Sequence, residues 1–436
     1  MTRTLILTIG TGDRENLKQT LFDPLMKSIG DGEWGRIVLL PSHETEGNAQ
    51  HLEVLAAHHG IEIRPLPKAG AENDPDACFD WFDQVIGDLR QSGCMVDEIT
   101  ADFTRGTKAM SAALVLAGVR NGISSLRYIS GERDGRGMVT AGTETIRHIS
   151  PIRALARRTQ DMAYRLLRDG AFAAADDLLG QMLPDPSHPF SGLGPTSTDS
   201  TALEAARQVA RFLSAWDRLD HAKAASLPLP SAADLPADWI ATLPKEAEIN
   251  WIHRLADKPG DDDFKARADW LRLLIIDLFA NAERRVRQGQ FEDALVRCYR
   301  LLELVGQARL FDRGYDSARI PLTAAVQEFQ KKLRKSNSTL PTMKDGCLQM
   351  PREQAARFLK FLNDDLAKSL IGDDIKDVKN RNYSILIHGF ENKAPADLTA
   401  WNVLLQKIDN IIHDDRNNSE YCDAQLNVAR FPSFVR

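Results

Sequence analysis

Five short apolar runs, separated by stretches of helical periodicity, occupy the first 150 residues, and no other feature restricts the fold so tightly. The runs are Thr4–Ile9, Arg36–Leu40, Ile61–Leu66, Met95–Thr100 and Ser125–Ile129. Between them Leu17–Ile29, Asn48–His58, Asp76–Leu89 and Lys108–Arg120 repeat apolar residues at the spacing of a helix. Parallel strands need a crossover to join them, and an alternation of this kind supplies one each time. The pattern predicts an α/β fold: a Rossmann-like parallel sheet with helices on both faces. Its ligands would bind beyond the carboxyl ends of the strands. After Ser130, Gly131–Gly137 reads as a turn or exposed loop, and Met138–Ile149 alternates in polarity like a hairpin strand.

Three loops should converge at that end of the sheet: Gly10-Thr11-Gly12-Asp13, Pro41-Ser42-His43-Glu44, and Thr104–Lys108. The third belongs to Asp102-Phe103-Thr104-Arg105-Gly106-Thr107-Lys108-Ala109-Met110, which reads as strand end, tight turn and helix start. Free backbone N–H groups and the helix dipole attract an anion there. Gly106 permits close approach of a backbone, Thr104 and Thr107 carry hydroxyls, and Arg105 and Lys108 carry positive charge. Such a turn suits a phosphate, a nucleotide or an oligonucleotide; the bland alternative is a helix cap that happens to be basic. It is not a Walker loop, because a single glycine stands two residues before the lysine. Gly10-x-Gly12 lacks the third glycine of the dinucleotide fingerprint, which argues against a nicotinamide cofactor.

At 436 residues the chain has room for about three domains, placed at 1–150, 151–260 and 261–436. No apolar run approaches the ~20 residues of a membrane span, and the short apolar N-terminus reads as a first strand, not a signal peptide. Cys78, Cys94, Cys298, Cys347 and Cys422 have no paired spacing. They predict neither a zinc site nor a disulfide framework, and so a reducing cytoplasm. With a net charge of −6, any nucleic acid must be held by local basic patches.

Beyond Pro151 the patterning is helical. Ile152–Leu183 reads as one helix, followed by a break at Pro184–Pro189 and a surface loop at Ser191–Ser200. Leu203–Ala225 is helical, the proline-bearing Leu227–Pro244 is not, and 151–260 as a whole reads as a helical connecting region with proline-rich loops. Further helices are expected at Phe264–Arg287, Phe291–Leu310, Leu322–Leu333, Glu353–Leu370, Ile375–His388 and Leu398–Ile412. Gln288-Gly289-Gln290 joins two of them as a helical hairpin resembling a tetratricopeptide unit, without a 34-residue repeat. Arg284, Arg285, Arg287, Arg297 and Arg300 cluster near that hairpin, and Lys331, Lys332, Arg334 and Lys335 end a helix. Each cluster is either a solvated face or a contact for RNA backbone.

A second constellation lies in Lys379-Asn380-Arg381-Asn382-Tyr383-Ser384-Ile385-Leu386-Ile387-His388-Gly389. On a helix, seven residues turn through about 700°, so Arg381 and His388 share one face with Ser384 between them. Gly389 is a suitable stop, and the C-terminal dipole favours a protonated His388. An arginine and a histidine on one stripe meet the needs of metal-free RNA cleavage. The histidine handles the proton of the attacking 2′-hydroxyl or of the leaving oxygen, and the arginine stabilises charge on the phosphate. One helix offers a single histidine, so this chemistry predicts a composite site in a homodimer. A lone histidine ending an apolar helix is otherwise a structural residue, and Arg36 and His43 show that the spacing alone means little.

Together the two segments resemble a known family. The turn Asp102–Lys108 is similar to the nucleotide-binding turn of CARF domains, the sensor modules of CRISPR defence proteins. Arg381-Asn382 followed by His388 resembles the R-x(4–6)-H signature of HEPN ribonucleases, and Gly289–Leu310 resembles the helical region of one branch of that family. An N-terminal sensor and a C-terminal helical nuclease in this order resemble the ancillary ribonucleases of type III CRISPR systems. The resemblance implies a cyclic oligoadenylate as allosteric activator, no cofactor or metal, and single-stranded RNA as substrate. It implies that Gly10, Thr11, Gly12, Ser42, Thr104, Arg105, Gly106, Thr107 and Lys108 contact the ring across a dimer axis. In the family's pattern Thr104 and Thr107 are hydroxyl donors and Arg105 and Lys108 charge contacts. Arg381 and His388 would be catalytic, with Asn382 positioning the phosphate or the histidine. Two other readings stay open: a sensor that only dimerises or recruits a partner, and a turn that cleaves its own ligand using Thr104 or Lys108.

Overall fold

The computed structural model describes residues 3–57, 60–123, 125–132, 140, 142–149, 152–183, 197–336, 338–371, 394–395, 397–416 and 419–431. The chain divides into two compact units, Met1–Met162 with Asp177–Glu204, and Ala163–Asp176 with Ala205–Arg436.

The first unit is built on a six-stranded sheet of β1 (Thr4–Ile9), β2 (Arg36–Pro41), β3 (Ile61–Ile63), β4 (Ile99–Asp102), β5 (Ser125–Ser130) and β6 (Thr145–Ile149), in the order β3-β2-β1-β4-β5-β6. The first five strands run parallel and β6 pairs antiparallel with β5. Every residue of β1 is buried, as expected of a strand covered on both faces. Leu5, Leu7 and Ile9 pack on one face with Leu25 and Ile29 of α1 (Asp23–Gly30) and Leu52 of α2 (Glu46–Ala56). Ile6 lies in the opposite core with Phe82 and Ile86 of α3 (Pro75–Gln91) and Met110 and Leu114 of α4 (Lys108–Asn121). Each such side chain contributes about 1.5–3 kcal/mol on burial.

The expected strand Met95–Thr100 begins four residues later. Val96–Glu98 is a 3-10 turn, in which the Glu98 carboxylate accepts the Met95 N–H at 3.2 Å. The acidic pair Asp97-Glu98 favours that turn, and pairing starts with β1 at the fully buried Ile99 and with β5 at Thr100. Leu17–Ile29 is likewise two pieces, a π-helical turn at Lys18–Phe22 and then α1, with Pro24 in its first turn. Pro24 has no N–H with which to continue a regular ladder.

From Ile152 onward the chain is helical: α5 (Ile152–Arg168), α6 (Phe172–Gly180), α7 (Ser197–Asp217), α8 (His221–Ser226), α9 (Glu246–Ala256), α10 (Phe264–Arg287), α11 (Phe291–Asp312), α12 (Ala324–Lys335), α13 (Arg352–Phe361) and α14 (Ala367–Ile371). Two more follow at Leu398–Arg416 and Ser419–Ala429. Ser197–Ser200, expected in a loop, belongs to α7. Three expected helices are broken where one residue turns left-handed. Gly170 (φ 76°) splits Ile152–Leu183, Leu219 (φ 61°) splits Leu203–Ala225, and Asn363 (φ 59°) splits Glu353–Leu370. The second unit also holds a hairpin that the sequence reading did not anticipate, β7 (Thr342–Lys344) against β8 (Cys347–Gln349). It turns at Asp345-Gly346, both at positive φ.

The corner between α5 and α6 repeats the one between α10 and α11. Arg168-Asp169-Gly170-Ala171-Phe172-Ala173-Ala174-Ala175 matches Arg287-Gln288-Gly289-Gln290-Phe291-Glu292-Asp293-Ala294 at arginine, glycine, phenylalanine and alanine. Gly170 donates to Leu167 O at 3.1 Å and Ala171 to Leu166 O at 2.8 Å; Gly289 donates to Val286 O at 3.0 Å and Gln290 to Arg285 O at 2.8 Å. Glycine at positive φ closes both helices in the same way. Ala175 and Ala294 are fully buried just beyond.

One buried carboxylate ties four helices of the second unit together. Asp277 on α10 accepts from the indoles of Trp216 (α7, 2.8 Å) and Trp251 (α9, 3.1 Å) and pairs with His221 Nε2 (α8, 2.8 Å). Its side chain is fully buried, and three donors offset the desolvation of its charge. A second such group, Asp364, binds Arg309 at 2.9 Å and Arg313 at 3.2 Å. Arg272 joins α10 to Asp415 at 2.8 Å and to Asp312 on α11.

A candidate anion-binding site at the switch point of the sheet

From β1 the chain winds outward through β2 and β3, then returns to β4 on the other side of β1 and continues to β5. The carboxyl ends of β1 and β4 therefore form the point where the winding reverses, the place at which open α/β sheets bind ligands. The loops leaving them touch through their main chains. A Cβ on Gly10 would lie 2.7 Å from the Gly106 nitrogen, so no side chain fits at that position without a shift. Gly106 has φ 118°, open to glycine almost alone, and a Cβ there would press on Thr8 and Met110. The Thr8 hydroxyl donates to the Arg105 carbonyl and fixes the same contact.

Behind the turn is a buried ion pair. Arg127 Nε, on β5, lies 3.2 Å from Asp102, and both side chains are almost wholly buried. The Ser28 hydroxyl also donates to Asp102, and Arg127 extends to Asp31 at 3.1 Å. Burial lowers the Arg127 pKa while Asp102 and Asp31 raise it. The other Asp102 oxygen receives the Thr104 N–H at 2.9 Å and the Thr104 hydroxyl. Asp102 thereby sets the course of the chain into the turn. The sequence reading gave no role to Asp102, Ser28 or Arg127; an acid ending an otherwise apolar central strand was the available signal.

The two threonines are occupied. Thr104 spends its hydroxyl proton on Asp102 and accepts the Ile129 N–H at 2.9 Å. Thr107 donates to the Glu72 carbonyl and accepts the Met110 N–H at 3.1 Å, as the N-cap of α4. Neither has a proton left for a ligand, so their part is to shape the turn. Ser42 is 3% exposed and bonded to Thr45, whose hydroxyl in turn donates to the Ile9 carbonyl at 3.0 Å. Asn48, also missed in the sequence, donates to the Gly10 carbonyl at 3.1 Å. Ser42 and Asn48 thus brace the first loop from the side of β2 and α2.

What remains open to a ligand is main chain and charge. Among the described residues, no acceptor pairs with the N–H of Gly106, Lys108 or Ala109. Lys108 is exposed and without an ion-pair partner among them. Arg105 is part-buried, its Nε has no hydrogen-bond partner, and burial lowers its pKa against the pull of Asp102 and Glu144. A guanidinium so placed still keeps its charge at neutral pH. Thr11 is exposed and Gly12, at φ 64°, turns the first loop. The structure brings Gly10, Arg105, Gly106, Thr107 and Lys108 to one point; it keeps the Ser42 hydroxyl buried.

Arg381, Asn382 and His388, with the expected helix Ile375–His388, lie outside the described residues. The arginines near the hairpin are not one solvated face. Arg284 and Arg285 bind Asp217, Arg297 binds Asn281 and Asp293, and Arg300 binds Glu303. Lys331, Lys332, Arg334 and Lys335 are exposed at the end of α12. No group of three or more His, Cys, Asp or Glu placed to hold a metal ion occurs among the described residues. Nor, among them, is any helix long and apolar enough to cross a membrane.

No curated protein matches the sequence. Residues 264–413, from the start of α10 into the helix Leu398–Arg416, match the family described as the Csm6 HEPN domain. The fold as a whole is similar to that of Csm6 from Enterococcus italicus bound to cyclic hexa-2′-fluoro-hexa-dAMP, with a TM-score of 0.58, 14% sequence identity and 99% of each chain covered.

Proposed function

We propose that this chain is a ribonuclease of CRISPR antiviral defence, activated by a cyclic oligoadenylate and independent of metal. The match of residues 264–413 to the Csm6 HEPN domain carries this reading. The Csm6-like fold and the main-chain anion site at the switch point support its sensor half. In this reading residues 1–150 are a CARF-type sensor, 151–260 a connecting region and 261–436 the nuclease. Phosphates of the ring meet the N–H groups of Gly106–Ala109 and the charges of Arg105 and Lys108, next to Gly10–Gly12. Two copies of the chain pair, and ligand binding shifts their nuclease regions toward the arrangement that cleaves.

In that arrangement His388 moves the proton of the attacking 2′-hydroxyl or of the leaving 5′-oxygen. Arg381 stabilises charge on the phosphate and Asn382 orients it. The test is cleavage of single-stranded RNA with and without cyclic tetra- or hexa-adenylate, in EDTA. Cleavage should require the ring and survive the chelator. His388→Ala should lower it about 10²–10⁴-fold while ring binding is unchanged. Full cleavage by that variant removes the catalytic assignment, and retained binding without cleavage in the wild type leaves a sensor alone.

A further inference from the structure

The two matching corners of the helical unit line one cavity of about 640 Å³. Gln288 on one corner donates to the Gly170 carbonyl on the other at 3.3 Å, which fixes their separation. The start of α6 forms part of the wall, and Ala171 at its N-cap offers no side-chain acceptor. The N–H groups of Phe172, Ala173 and Ala174 accordingly have no acceptor among the described residues.

Four arginines line the same space: Arg218, Arg284, Arg285 and Arg287. Arg284 is 1% exposed. It spends Nε on Asp217 at 3.1 Å and Nη1 on the Ala429 carbonyl at 3.2 Å, and its guanidinium lies over the Phe431 ring. Its Nη2 has no hydrogen-bond partner, and neither has Nε of Arg285. Buried charged donors left unpaired are costly, which makes them informative. Arg218 and Arg287 are exposed and have no acidic partner among the described residues. Two carboxylates line the cavity with the four cations: Asp217, already shared by Arg284 and Arg285, and the exposed Asp169; a third, Asp293, lies 3.9 Å from Arg285 Nε outside the lining.

We propose that this cavity is a second anion site, which binds the phosphate of a nucleotide. A tetrahedral oxyanion accepts from a guanidinium fork and from a helix N-terminus at once. The volume is that of a small-molecule site. The phosphate belongs either to a free nucleotide or to the backbone of an RNA strand, and the chemistry of recognition is the same. The described residues that form the site do not include Arg381 or His388, and it stands whether or not the chain cleaves RNA.

The test is calorimetric titration of the full chain in low salt with pyrophosphate, ATP and a short oligouridylate. It is run in a Lys108→Ala background to silence the sensor turn. Arg218→Ala and Arg287→Ala remove exposed side chains that hold nothing in place, so melting temperatures should not move. Each should weaken pyrophosphate binding about tenfold or more. ATP bound with the same sensitivity, and oligouridylate not, identifies a free nucleotide; the reverse identifies a strand. Failure of all three probes to bind, or binding indifferent to both substitutions, overturns the site.

Discussion

In the α/β unit the lysine of the turn after β4 stays uncommitted, whereas in the helical unit charges are used against one another. Lys108 is exposed and unpaired among the described residues, and the N–H groups beside it point to no carbonyl there. Asp277, Asp364, Asp217 and Arg272 instead hold helices together through direct ion pairs and hydrogen bonds. The same residue types therefore mean different things. A charge with its partners present in the fold is structural, and a charge without them is available to a ligand. In the arginine cavity of the helical unit the first habit returns.

The contrast is sharpest if Asp277 is removed. Asp277→Ala strands two indoles and His221 in the interior and should cost about 3–5 kcal/mol in urea unfolding. An effect under ~1 kcal/mol, the size of an exposed pair, would mean that the network is not formed. Gly10→Ala forces its Cβ against the Gly106 nitrogen and should cost about 1–3 kcal/mol. It should also abolish ring binding, and unchanged stability and binding would deny the contact between the two loops. Lys108→Ala should leave the melting temperature alone while weakening ring binding about 10–100-fold. A loss of stability there would make Lys108 structural and erase the distinction.

The smallest effect concerns His413, which donates Nδ1–H to the Asp409 carbonyl at 2.9 Å and reaches Asp423 through Nε2 at 3.2 Å. Burial lowers its pKa, but these bonds and the charges of both acids outweigh it and raise the pKa above 6.5. Both nitrogens donate only in the imidazolium. The stabilisation is therefore full below the unfolded value near 6.5 and is lost as pH rises through the folded one. The melting-temperature gap between wild type and His413→Ala should shrink between pH 6 and pH 8; a gap that widens reverses the sign.

Much of the α/β unit was legible because burial on both faces of a parallel sheet imposes continuous apolar runs. β1 has the bounds read from its sequence, and so has the helix Phe264–Arg287. The breaks were harder to read. Leu219 and Asn363 turn left-handed because Asp220 and Asp364 start the next elements, and Asp364 is held by arginines distant in sequence. Gly170 was missed although its surroundings repeat those of Gly289, which was recognised as a corner. At the anion site, glycine and charge were readable as residue types. The commitment of the Thr104 and Thr107 hydroxyls depends on Ile129 and Glu72, and no local pattern reveals such partners.

The absence of side chains where residue 10 meets residue 106 has an evolutionary corollary. Each position is closed to a side chain for its own reason: a methyl group on residue 10 meets the main-chain nitrogen of residue 106, and one on residue 106 meets Thr8 and Met110 at a φ of 118°. Sequences descended from a common ancestor of this chain should therefore keep both glycines, while the loops on either side diversify with the ligand.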